Sequence, residues 1–304
     1  MRLSTNSLYS FATNRMLELQ SAQAKLQNQI TTGKKIASPS DDPIATTRSI
    51  ALRQAQNINT QFTNNRQTAF TQLSTAEVVL GKATDVIISA QSLITGAKNG
   101  VLSNTDRLSL AIDLESLLSQ LAELANSKDG VGNYLFAGYS NTTQPFVKTT
   151  TGYSYQGDNQ GLAVQVSESR QMAISETGSQ IFQAGGNDVF QALTEVIALL
   201  KTPVSSPAQS LALNTGLSDA LNSMGLSLDS VLTSRANFGS KLREIESMND
   251  FASAVDLLYS DNLSKLEDLD YTKALSDLAK QQTILEAAQK SFVKTSSLSL
   301  FDII

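Results

Sequence analysis

The chain contains no cysteine, no histidine and no tryptophan in 304 residues. Each absence removes a class of chemistry. Without cysteine there is no disulfide, no thiolate nucleophile and no thiolate zinc site, and redox compartment leaves no direct mark. Without histidine there is no Ser-His-Asp or Cys-His catalysis and no imidazole ligand. Only a carboxylate- or lysine-based enzyme remains open. Aromatics make up 6% of the chain, and neither glycine (16) nor proline (5) is enriched. Basic residues are scattered at a net charge of -5, so no Lys/Arg stripe is offered to nucleic acid. No apolar run approaches transmembrane length, and membrane insertion is not expected. The opening Met1-Arg-Leu-Ser-Thr-Asn6 lacks the apolar core of a signal peptide. That predicts a cytosolic protein, or one exported without a cleaved signal.

What is present is helical periodicity. Leu, Ala, Ser, Gln and Thr dominate, as in long helices with polar outer faces. Residues 5–30 carry Leu8, Ala12, Met16, Leu19, Ala22, Leu26 and Ile30 in steps of three and four. The stripe is thin, and such a helix is marginal alone in water. A second helix is predicted over 44–97, with the seam Ala69, Leu73, Ala76, Leu80, Ala83, Ile87, Ala90, Ile94 and Ala97. An alanine at every seventh position predicts a gently left-handed coiled coil and a close partner helix. Asn99-Gly100 makes a turn, and Ser103 with Asp106 reads as a capping box for a third helix striped by Leu110, Leu114, Leu117, Leu121 and Leu124. A further short helix starts at Asp188. A long one follows the 202–207 linker and continues to about Met248, and a last one carries Tyr271, Leu275, Leu278, Leu285, Ala288 and Phe292.

Between the first two helices lies a compact run of turn chemistry. Gly33 can close the first helix in a left-handed conformation. Pro39 and Pro43 push their preceding residues out of the helical region. Asp42 can cap the second helix with Pro43 at its first position.

Helical character fails from Asp129 to Gly138, and short alternating stretches such as Tyr153-Ser-Tyr155 and Leu162-Ala-Val-Gln-Val166 follow. The fold expected is mainly α with a small inserted β-rich domain, the two chain ends forming long antiparallel coiled-coil helices. The expected division is a terminal coiled-coil region (1–30 with 275–304), a helical body (31–138 with 187–274) and the β-rich insert (139–186). The ends are read either as a pair sealed within one chain or as segments that stay loose and order on assembly.

Nucleotide and metal motifs fail on inspection. Asn28 stands where a Walker loop needs its first glycine, and Lys35 where it needs Ser or Thr. Gly130-Val-Gly132 is followed by Leu135 where a dinucleotide loop needs a third glycine. Asp158-Asn-Gln-Gly161 lacks calcium-loop spacing. No cofactor or metal is expected, and an enzyme is disfavoured.

The opening Met1-Arg-Leu-Ser-Thr5 and the segment Thr32-Gly-Lys-Lys-Ile-Ala-Ser-Pro-Ser-Asp-Asp-Pro-Ile-Ala45 resemble the bacterial flagellin superfamily. Asn133-Tyr-Leu-Phe-Ala-Gly138, Val231-Leu-Thr-Ser-Arg-Ala-Asn-Phe-Gly239 and the ending Leu298-Ser-Leu-Phe-Asp-Ile-Ile304 are similar to its hook–filament junction proteins rather than to flagellin. The resemblance is weak across the β-rich insert. It implies a flagellin-like fold and export through the flagellar type III apparatus with a chaperone. It implies an extracellular ring of identical subunits where hook meets filament, touching hook-associated protein 1 on one side and flagellin on the other. The residues it marks for assembly are Leu8, Leu19, Leu26, Leu278, Leu285 and Phe292 in the terminal helices, with Phe301 for terminal packing or chaperone capture. The interhelical turn from Gly33 through Pro39, Asp41 and Asp42 to Pro43 would position inner and outer helices. Flagellin itself and an intracellular coiled-coil scaffold are the competing readings.

Overall fold

The computed structural model describes residues 5–98, 102–150 and 152–297. In chain order these form α1 (Thr5–Thr32), α2 (Pro43–Ala97), α3 (Asn104–Ala125), β1 (Phe146–Thr149), β2 (Gly152–Tyr155), β3 (Ala163–Ser167), β4 (Arg170–Ala173), α4 (Gly178–Phe182), α5 (Val189–Lys201), α6 (Pro207–Glu267) and α7 (Tyr271–Ser297). The chain divides into two compact units, Met1–Ile58 with Ser253–Ile304 and Asn59–Ala252. It is mainly helical, with a small strand region, as its periodicity predicts.

In the Asn59–Ala252 unit, the α2 seam from Ala69 to Ala97 is buried throughout. α6 answers with its own seventh-residue series, Leu217, Met224, Val231, Phe238 and Ile245, also fully buried. The two series place small and bulky side chains in one buried cluster. Two side-chain ties fix the antiparallel register. Arg66 Nε donates to Asn249 Oδ1 at 2.7 Å, and Arg235 Nη2 donates to Glu77 Oε1 at 2.8 Å. The seam was expected to form a coiled coil rather than a globular core, with the third helix folded back on α2 as an antiparallel hairpin. It is instead the spine of a larger core that α3 and α5 complete with Leu114, Leu121, Leu193 and Val196. α3 starts where expected. Ser103 Oγ accepts from the Asp106 N–H, and Asp106 reaches back to the Ser103 N–H.

The strands form two separate antiparallel hairpins, β1–β2 and β3–β4, the second with an irregularity between Gln165 and Ser167. A two-stranded hairpin is marginal in water, so each needs outside support. The first rests in an aromatic cluster of Phe136, Phe146, Tyr153, Tyr155, Phe182 and Phe190, with neighbouring centroids 4.8 to 5.8 Å apart. Gly138 makes the approach to it possible. Its φ is +66°, and a Cβ there would lie 2.7 Å from two backbone carbonyl oxygens. The second hairpin hangs from α2, where the buried Arg66 donates to the Val166 carbonyl at 2.9 Å and Asn65 donates to that of Gln165 at 2.8 Å.

Two expectations need correction. α6 continues to Glu267 rather than ending near Met248, because residues 249–267 contain neither glycine nor proline to stop it. An 18-residue window of α2 reaches a mean hydropathy of 1.3, so among the described residues one helix is long and apolar enough, by length and composition, to cross a membrane. One third of that window is buried, within the α2 seam.

Candidate assembly surface and its joint

α1 and α7 are antiparallel partners. At one end the Tyr9 and Phe292 rings meet edge to face, 5.7 Å apart. At the other, Tyr271 lies against Gly33. Leu19 and Leu26 on α1, and Leu278 and Leu285 on α7, are half-buried, as is Phe292. The side chain of Leu8 and the whole of Phe301 lie outside the described residues. Along these two helices Ala274 is the single described residue that reaches full burial. A second apolar set points away from the pair: Phe11 (67% exposed), Leu17, Leu275, Ile284 and Val293 (63%). Periodicity alone picked out the half-buried set and passed over most of the outward one, because a thin stripe has only one face that repeats at three and four.

The joint between α1 and α2 is built by short-range bonds. Gly33 has φ +69°, and a Cβ there would come within 2.9 Å of the Tyr271 hydroxyl. The residue is glycine for two reasons, a left-handed backbone and a neighbour in the way. Asp41 pins the turn, its Oδ2 accepting from the Ala37 N–H at 3.1 Å and the Ser38 N–H at 2.9 Å. Lys25 on α1 reaches its Oδ1 at 2.7 Å. The Lys25 hydrogen bond, then the Ser38 N–H, hold the Asp41 carboxyl below the usual range. Asp42 Oδ1 accepts from the Ala45 N–H at 2.9 Å, with Pro43 next to it at the first position of α2. Pro39 is exposed at the apex of the turn.

A second crossing meets this one. The Lys35 N–H donates to the Glu267 carbonyl at 2.6 Å, and the Leu269 N–H donates to that of Gly33 at 3.0 Å. Lys34 and Asp268 thereby form an isolated antiparallel bridge. Behind it sits Glu267, only 9% exposed. Its carboxylate accepts from Arg53 Nη2 at 2.5 Å, Arg53 Nε at 3.1 Å and Lys34 Nζ at 3.1 Å, and from the buried Ser49 hydroxyl. The Arg53 bond above all holds the acid down at about 2, against the cost of its burial. A carboxylate held that low carries no proton near neutrality. It serves as a charged pin joining α2, the α1–α2 turn and the end of α6. A cavity of about 320 Å³ opens beside it, lined by Lys34, Ile36, Pro39, Thr46, Ser49 and Arg53. Sequence reasoning missed Glu267 entirely, since its partners lie more than 200 positions away and leave no local pattern.

Comparison with known proteins gives these elements relatives. The profile of the bacterial flagellin N-terminal helical region matches residues 3–141. Flagellar hook-associated protein 3 of Escherichia coli is 38% identical over 317 aligned positions, covering 100% of this chain and 99% of that protein. A putative flagellar hook-associated protein of Vibrio parahaemolyticus superposes with a TM-score of 0.70 at 23% identity, over 75% of this chain and 100% of that one. The flagellar junction protein FlgL of Legionella pneumophila superposes at 0.63 and 18% identity, over 73% and 100%.

Proposed function

The chain belongs to the flagellar hook-associated protein 3 family, and from that premise we propose that it is the repeating subunit of a ring at the hook–filament junction of a bacterial flagellum. One face of the ring meets hook-associated protein 1 and the other meets flagellin, for which it is the platform on which the filament starts. The subunit reaches that place through the type III export apparatus, with a chaperone and without a cleaved signal peptide. Its work is mechanical, and no enzymatic step is assigned to it.

The observation that carries this reading is the one-sided burial of the α1–α7 pair. Leu19, Leu26, Leu278, Leu285 and Phe292 close the pair on itself, while Phe11, Leu17, Leu275, Ile284 and Val293 remain in water. Two helices of 28 and 27 residues, with one fully buried alanine among their described side chains, have little to hold them in isolation. Packing side by side with copies would cover the outward set at about 25 cal/mol per Å² of apolar area removed from water. The joint holds the pair at its root, and Gly33, Pro39, Asp41, Asp42 and Pro43 set the path from one helix to the next.

Immunogold labelling of intact cells and detached flagella, with a deletion strain as control, tests the proposal. One labelled band between hook and filament, with filaments lost from the deletion strain, is expected. Label along the whole filament would make the chain a flagellin, and label only inside the cell would make it a cytosolic scaffold.

A further inference from the structure

Beside the joint, on the side of α2 and α6 that does not face Glu267, runs a groove of about 510 Å³ lined by Arg48, Ala51, Leu52, Asn262, Lys265 and Leu266. Helical spacing extends it at both ends. Ile44 lies one turn before Arg48 and is 68% exposed, and Leu258 lies one turn before Asn262 and is 60% exposed. Its walls are apolar and its rim is basic. Lys265 pairs with Asp261 on the same helix at 2.6 Å, whereas Arg48 makes no ion pair among the described residues. An apolar trough with an uncommitted cation fits an apolar segment carrying an acid.

The chain contains such a segment. Leu298-Ser-Leu-Phe-Asp-Ile-Ile304 has five apolar residues around one charged side chain, Asp302, and lies outside the described residues. It cannot reach the groove of its own chain. α7 starts beside the joint and its 27 residues carry Ser297 roughly 40 Å away along the helix axis. Seven extended residues span at most about 24 Å. Leu258 stands only about 14 Å up α6 from Glu267, so even a terminal pair folded back along α6 leaves the tail short. We propose that the groove receives residues 298–304 of a second copy, Phe301 and its apolar neighbours lying on Leu52 and Leu266, and Asp302 meeting Arg48. The contact would link each subunit to the next, head to tail, through a segment distinct from the α1–α7 helices. It rests on the reading that copies assemble in the flagellum.

The test places a benzoylphenylalanine photo-crosslinker at Ala51 of the full chain in motile cells. Flagella are then purified, irradiated and digested for mass spectrometry. The expected product is an adduct between two copies that contains residues 298–304. R48E or D302K alone should lower its yield about tenfold, the usual cost of one desolvated charge pair, and the double variant should recover most of it. An adduct with a different protein, an adduct lacking the tail, or no adduct from flagella that contain the chain would each overturn the proposal. Absence of the chain from the flagella would overturn the ring reading beneath it.

Discussion

The two units of this molecule use similar helices to opposite ends. In the Asn59–Ala252 unit, the α2 and α6 seams and the inner faces of α3 and α5 form one buried core, with Phe136, Phe146, Phe182 and Phe190 fully buried in it. In the other unit, the described residues that reach full burial are Ala45, Ser49, Glu267 and Ala274, two of them polar or charged. The first has a hydrophobic core in the ordinary sense. The second is organised by a charged pin and a few backbone bonds, with its apolar residues half-covered or in water. A region that cannot bury its own apolar surface is poorly stable alone and available to neighbours. In the role proposed above, a subunit that is exported and then assembled has use for both kinds of region.

The comparison breaks most decisively if the terminal pair is as stable as the core. Limited proteolysis of the monomer should remove roughly 30 residues or more from each end and leave a helical product. Protection of the full chain would contradict the contrast. Within the core unit, Phe146→Ala removes the centre of the aromatic cluster and should cost about 3–5 kcal/mol, read as a fall in the main thermal transition. Leu285→Ala in the half-buried seam should cost the monomer under about 1 kcal/mol, yet reduce recovery of the chain in sheared flagella. Equal effects of these two substitutions on monomer stability would erase the distinction.

The joint sharpens the contrast at intermediate scale. Glu267 has its acid lowered from the usual 4.5 to about 2, so its contribution is present above pH 4.5 and lost as pH falls from there toward 2. Acid should therefore loosen the joint before the aromatic core, visible as early loss of hydrogen-exchange protection at residues 33–35 and 267–269. Glu267→Gln should flatten that pH dependence. Gly33→Ala forces a left-handed backbone on an alanine and crowds the Tyr271 hydroxyl, for about 1–2 kcal/mol confined to the same unit. Ser103→Ala should cost the core unit about 1 kcal/mol through the lost cap of α3.

Local chemistry was legible in the sequence wherever the partners are close along the chain. Asp42 and Pro43 start α2, Ser103 and Asp106 start α3, and Asp188 caps α5, because a cap bonds a backbone two or three residues away. Seventh-residue alanines marked the buried face of α2. The short connection after α2 pointed to α3 as a neighbour, but nothing announced that α5 would join, since a heptad states which face is buried and not how many elements cover it. The length of α6 was misjudged because Phe251, Leu257 and Leu258 fall on an exposed side and blur the stripe.

Composition and periodicity by themselves determined the helical class, the helix starts, the break into a small strand region and the thinness of the terminal stripes. Those are properties of neighbours three, four or seven residues apart. Only the tertiary structure decided that Glu267 would gather Arg53, Ser49 and Lys34, that Arg66 would carry the second hairpin, and which terminal apolar residues would face each other and which would face water. Each of these joins positions about 100 or more residues apart or depends on the rotation of one helix against another. The folded path of the backbone sets both.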